Sequence, residues 1–197
     1  MRRNLLRYTL SPCLIEKIRW AISPFPNSFA LPVSSTGDHS ITELRKIAHC
    51  KEKHWGNKML GHTDKSNWSA LLGESLVYDI LTTKGDTPRK SIGAPGFRPD
   101  FETDNCIYEV KTRNWTTRGS IGEKLLGCGY KYSDIPELTG KPLKIVCVAY
   151  QEWELTYGPL QIFGEIDERK KHMIDMMRYW GIEYVKCSDL INDIYET

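Results

Sequence analysis

No CxxC pair occurs among the six cysteines, so neither a dithiol redox centre nor a paired-cysteine zinc site is written into this chain. The five histidines form no Ser-His-Asp pattern. No glycine-rich phosphate loop or dinucleotide glycine fingerprint is found, which sets aside P-loop nucleotide hydrolysis and NAD-type chemistry. No small-molecule cofactor is therefore expected. Internal repeats and low-complexity tracts are also missing. The apolar stretches between Leu5 and Ile22 are broken by charge, which argues against a signal peptide or a membrane span. The expectation is a reduced, cytoplasmic protein with no membrane partner. Cys106 opens one apolar run and Cys147 sits inside another, so both read as small core residues.

What remains is ordinary in amount and uneven in distribution. A chain of 197 residues suffices for one well-cored domain with a small appendage. The net charge of +2 hides a split along the sequence. Residues 1–83 carry 11 Lys/Arg against 7 Asp/Glu, residues 84–144 carry 11 against 8, and residues 145–197 carry 5 against 10. The basic portion suits a polyanionic partner.

Residues 1–62 read as an N-terminal helical arm and 63–197 as the main domain. Ser11-Pro12 opens a short helix to about Ile22, with Leu14, Ile15, Ile18 and Ala21/Ile22 at helical spacing. Ser40-Ile41-Thr42-Glu43 is a capping box opening a helix through Ala48. The longest helix is expected over Ser66–Thr82, stopped by Gly85, with Glu74 beside its apolar stripe of Trp68, Leu71, Leu72, Leu76, Val77, Ile80 and Leu81. Phe97–Thr103 and Ile107–Arg113 read as a hairpin around Asp104-Asn105. The Gly-rich stretch Thr116–Gly140 mixes short helices and loops. Leu143–Tyr150 reads as a buried strand, Asp167–Trp180 as a helix with Met173, Ile174, Met177 and Trp180 inward, Ile182–Val185 as a strand and Asp189–Tyr195 as a terminal helix. The order describes an α/β fold, a mixed central β-sheet flanked by α-helices.

Within that order, Pro99-Asp100 and Glu109-Val110-Lys111 stand out. Glu109 and Lys111 are two apart, so on a strand both leave the same face. Counted back from the Asp-Asn turn, Asp100 falls opposite Glu109. Two carboxylates and an amine then meet at one point. These residues, with Glu74 in the preceding helix and the phrase Leu72-Gly73-Glu74, resemble the PD-(D/E)XK nucleases, which include most type II restriction endonucleases; the likeness covers about residues 66–186.

The resemblance implies a restriction-endonuclease-like core and a Mg²⁺-dependent endonuclease acting on double-stranded DNA and leaving 5′-phosphates. Mn²⁺ would substitute, and Ca²⁺ would support binding without cleavage. Asp100, Glu109 and the Val110 carbonyl would hold the metal, with Glu74 on the same ion or a second one. Lys111 would orient or help deprotonate the attacking water. The hard, oxygen-rich ligand set suits Mg²⁺ on its own chemistry. Cutting both strands requires two sites, hence a homodimer, through the N-terminal helices or the helix of Met173 and Met177. A structure-specific or nicking nuclease with the same site, and a catalytically idle DNA-binding module, are the alternatives. A surface hairpin with a solvated Glu109–Lys111 pair is the plain structural one.

Candidate phosphate contacts are Arg113, which shares the Lys111 face, together with Arg98 and Arg118. Ser120–Tyr132, bearing Lys124, Tyr130, Lys131 and Tyr132 among glycines, is read as a flexible DNA-reading loop that enters a groove or stacks on bases, or as a plain connector. Gln151 lies just past the buried strand. His49, Cys50, His54 and His62 contain one ligand-like gap but no complete zinc spacing, and with Asn57 they bear only a partial likeness to an HNH nuclease.

Overall fold

The computed structural model describes residues 9–23, 41–91, 93, 96–116 and 121–195. The expected loop over residues 24–37 and the cap residue Ser40 lie outside them. In chain order the elements are α1 (Pro12–Ile22), α2 (Ile41–Met59), α3 (Trp68–Thr83), β1 (Arg89–Lys90), β2 (Phe101–Glu102), β3 (Ile107–Arg113), α4 (Ile121–Lys131), α5 (Ile135–Thr139), β4 (Leu143–Ala149), α6 (Tyr150–Tyr157), α7 (Glu168–Tyr179), β5 (Ile182–Lys186) and α8 (Cys187–Tyr195). The five strands form one mixed sheet in the order β1-β2-β3-β4-β5. β1, β2 and β3 run antiparallel, while β3–β4 and β4–β5 are parallel.

Alternation along β3 explains how the sheet is covered on both sides. Tyr108 and Val110 face a cluster with Leu72, Leu76, Val77 and Ile80 of α3, joined by α1 and α8. Ile107 faces the opposite cluster, with Leu125, Cys128 and Tyr132, Ile135 of α5 and Leu155 of α6. β4 contributes Val146 and Val148 to the first side and Ile145 and Cys147 to the second. α1 is part of this packing: Leu14, Ile18, Trp20 and Ala21 lie buried against α3, and Ser11 Oγ caps the helix by accepting from the Leu14 N–H.

Several expectations need correction. Of the strand expected over Phe97–Thr103, Phe101–Glu102 forms a strand and Phe97 an isolated bridge. Pro99 has no N–H to give a ladder, and Gly96 turns at φ +85° just before it. The glycine-rich stretch is no flexible loop where it is described, because α4 runs unbroken from Ile121 to Lys131. Glycines inside a helix cost about 1 kcal/mol each, but at Gly129 a Cβ would lie 2.9 Å from both Met177 Sδ and Tyr184 Oη, so the bare backbone lets these two side-chain ends pack closely on α4. α7 buries no residue; Ile174 and Met177 pack on the core, while Met173 and Trp180 are 58% and 50% exposed instead of inward. α2 runs to Met59, past the expected Ala48. α6 was not expected. It begins after Ala149, which sits at φ 58° and ψ −129°, an unfavourable conformation for a residue with a Cβ.

Candidate metal-binding site on β2, β3 and α3

The β2–β3 register pairs Phe101 with Tyr108 and Glu102 with Ile107, so one step further Asp100 comes opposite Glu109. The ladder stops there, and the Asp100 side chain replaces it: Oδ2 accepts from the Val110 N–H at 2.7 Å. Asp100 is thereby fixed on both sides, since its own carbonyl accepts from the Ser91 N–H at 3.5 Å. Its carboxyl is pushed up to about 7, first by burial and then by the Glu109 charge, with Glu74 adding to it; the Val110 N–H and Lys111 act in the opposite direction.

Glu109 is 4% exposed. Its Oε1 accepts from Lys111 Nζ and, at 3.3 Å, from the Tyr132 hydroxyl. Its Oε2 is buried with no hydrogen-bond partner. A buried carboxylate oxygen left open is costly unless something positive completes it. The Lys111 ammonium loses stability through burial, yet the Glu109 charge and hydrogen bond, with Asp100 adding, hold its pKa above the usual lysine value.

Glu74 reaches this neighbourhood because Gly73 lets α3 approach the strand. A Cβ at Gly73 would collide with Thr112 Oγ1 on β3. The Glu74 carboxyl is raised by burial and then by Glu109, while Lys111 and Lys90 oppose the shift. Three acids thus share one field with the half-buried Lys111, and Lys90 also acts on Glu74. Among the described residues, no three His, Cys, Asp or Glu side chains are drawn together at ligand distances, here or at His49, Cys50, His54 and His62. Carboxylates that repel one another hold apart until a cation neutralises them. The open Glu109 Oε2 and the field that keeps Asp100 protonated to near neutral pH both fit a divalent cation with oxygen ligands.

Tyr132, expected as an aromatic of a DNA-reading loop, is instead a buried partner of Glu109. Its ring is 3% exposed and meets Phe97 edge-on at 6.1 Å, just ahead of Asp100. Its hydroxyl accepts from Lys131 Nζ at 3.0 Å and donates to Glu109. Burial raises its pKa, so it stays a donor. Only its place at the end of a glycine-rich helix hinted at this, and that gave no direction.

The expected phosphate contacts separate. Arg113 does share the Lys111 face, but it is buried, bound through Nη1 to Glu154 and laid over the Tyr150 ring at 5.3 Å. Its charge is committed to α6, which corrects its expected role as an open phosphate contact. Arg98 and Lys124 are exposed, and Arg118 lies outside the described residues. Lys131 is exposed at the edge of the site. Tyr130, 85% exposed, lies instead on an apolar groove of about 1020 Å³ between α4, α5 and α7, which holds none of the three acids. Gln151 is wholly buried; its Nε2 donates to Glu154 at 3.2 Å and its Oε1 has no partner. His49 Nδ1 is hydrogen-bonded to Thr116 Oγ1 at 2.9 Å, while Cys50, His54 and His62 are exposed. Among the described residues no helix is long and apolar enough to cross a membrane. Comparisons of the chain with protein-family models, with curated proteins and with solved structures return no match.

Proposed function

We propose that the chain is a Mg²⁺-dependent endonuclease that hydrolyses phosphodiester bonds in duplex DNA, a nuclease of the PD-(D/E)XK kind making a sequence-specific, restriction-type cut. The observation that carries this is the pair at β2–β3: Asp100 brought opposite Glu109, with the buried Oε2 of Glu109 open and Lys111 on its other oxygen. The mixed sheet with helices on both faces is the layer arrangement the resemblance implies.

Asp100, Glu109 and the Val110 carbonyl would hold Mg²⁺, with Glu74 the additional acid. Bound there, the ion supplies Lewis-acid polarisation of the scissile phosphate and positive charge for the leaving oxygen. The chain's own groups do the rest. Tyr132 and Lys111 fix the rotamer of Glu109 from two sides. Lys111, kept protonated by Glu109, acts as a donor that orients water and phosphoryl oxygens; serving as a base would first require losing a proton that Glu109 stabilises. Cutting both strands requires a second copy of the site, so the enzyme works as a homodimer.

Asp100→Ala and Lys111→Ala test the assignment. Asp100→Ala removes the acceptor of the Val110 N–H and Lys111→Ala a partner of buried Glu109, so the thermal midpoint of each is checked first. The folded variants are expected to lose Mg²⁺-dependent cleavage of linear duplex by about a hundredfold or more, as loss of an electrostatic or metal-holding group in a site does. Full cleavage by either folded variant contradicts the proposal. Preference for branched junctions over linear duplex would move it to a structure-specific nuclease.

A further inference from the structure

α2 belongs to the stretch that the PD-(D/E)XK resemblance does not cover, and its two faces differ in a way that charge alone explains. Lys46, Cys50, His54 and Lys58 repeat every four residues and are all exposed, with Lys51 beside them. Lys46 to Lys58 spans roughly 18 Å at the rise of an α-helix. None of these three lysines is bonded to a carboxylate among the described residues. The helix has two acids. Glu43 stands in the first turn. Glu52 is 1% exposed on the opposite face, accepting from Trp20 Nε1 and Asn114 Nδ2, each at 2.9 Å. The one negative charge in the middle of the helix is thus turned inward and hydrogen-bonded; Lys53 is half-buried and paired with Asp64 at 2.7 Å, while Lys46, Lys51 and Lys58 point outward.

The inner face is tied to the elements that build the site. Asn114 and Thr116 follow directly on β3, and they hold Glu52 and His49. Gly56 lies against Trp68, the first residue of α3, so closely that a Cβ would collide with the indole. α2 is therefore braced against both the strand of Lys111 and the helix of Glu74.

We infer that the outward face of α2, with Lys46, Lys51 and Lys58, is a second contact surface for the sugar-phosphate backbone of the DNA, outside the hydrolytic site. The partner rests on the function proposed above. Duplex DNA carries one charge per about 1.7 Å of axis, so a row of this length faces a dense line of phosphates. An anionic membrane fits less well. A membrane-lying helix needs a free apolar face, and here Trp55, Met59 and Leu60 are packed on the core, with Ile47 the exposed aliphatic among the α2 side chains that are described.

The test is a chain carrying Lys46→Gln, Lys51→Gln and Lys58→Gln, with its thermal midpoint checked against wild type. Binding to a 30-bp duplex is followed by fluorescence anisotropy in Ca²⁺ over a salt series. Losing three phosphate contacts should lower the slope of log K against log salt by about 3 and the affinity by about ten- to a hundredfold near 0.1 M salt. An unchanged affinity and slope overturns the inference, as does preferential binding of the wild type to phosphatidylserine vesicles over duplex. If the wild type binds DNA and the variant does not, while neither cleaves with Mg²⁺, the α2 surface stands and the hydrolytic function fails. If both cleave with the same KM and salt slope, the function stands and the α2 surface fails.

Discussion

Asp100 connects chemistry to stability at the scale of one residue. Its folded pKa of about 7 lies above the usual unfolded value of about 3.9. A carboxyl raised in this way contributes stability that is fully present below its unfolded pKa and is lost as pH rises through the folded one. The metal-free protein should therefore give up stability between about pH 4 and 7 on account of this group. Asp100→Asn keeps an acceptor for the Val110 N–H and removes the charge. Thermal melts of the metal-free proteins at pH 5 and pH 8 should show the variant gaining more on wild type at pH 8 than at pH 5. Mg²⁺ should raise the wild-type midpoint more at pH 8 than at pH 6, and that of the variant at neither. Equal pH profiles for the two proteins would remove the like-charge description of the site.

Single residues also mark how far the sequence could be read. The pairing of Asp100 with Glu109 was legible because a two-residue Asp-Asn turn leaves one register that buries Tyr108 and Val110 together. Arg113 was placed on the correct face, yet its partner Glu154 lies forty-one positions away on α6, and periodicity carries no information about such long-range pairs. Tyr132 was named only as a loop aromatic for the same reason, since its contact with Glu109 depends on where α4 docks.

At the scale of elements, α3 and β3 meet at one bare backbone position. Gly73→Ala would drive a methyl group into Thr112 Oγ1, so helix and strand must move apart. Overpacking of this kind typically costs about 1–3 kcal/mol, and the shift carries Glu74 away from Glu109. Urea melts of Gly73→Ala should show that loss, and cleavage should fall further than the stability loss explains at temperatures where the variant is fully folded. Wild-type activity together with wild-type stability would show that the close approach is not needed. Helix existence was mostly legible where apolar residues repeat, as in α1, α3 and α8. α4 was misread because glycine lowers helix propensity, and the tertiary contact at Gly129 outweighs that. α6 had no cue, because it begins at a strained Ala149 that only the surrounding packing can hold.

For the molecule as a whole, the sheet and its two covering layers follow from the apolar pattern, and the site follows from one hairpin and one helix. The charge asymmetry along the sequence acquires a location in α2, whose Lys46, Lys51 and Lys58 face outward while Glu52 is held inside. The proposed homodimer rests on the proposed cutting of two strands.

The most direct measurement is digestion of a DNA of known sequence by the wild-type protein at pH 8, with Mg²⁺ and with EDTA, followed by mapping of both fragment ends. The expected result is cutting only with Mg²⁺, at a fixed sequence in both strands, with 5′-phosphate ends. Intact DNA under every divalent-cation condition, from a protein whose Asp100 and Lys111 are folded as described, would contradict the proposed hydrolysis.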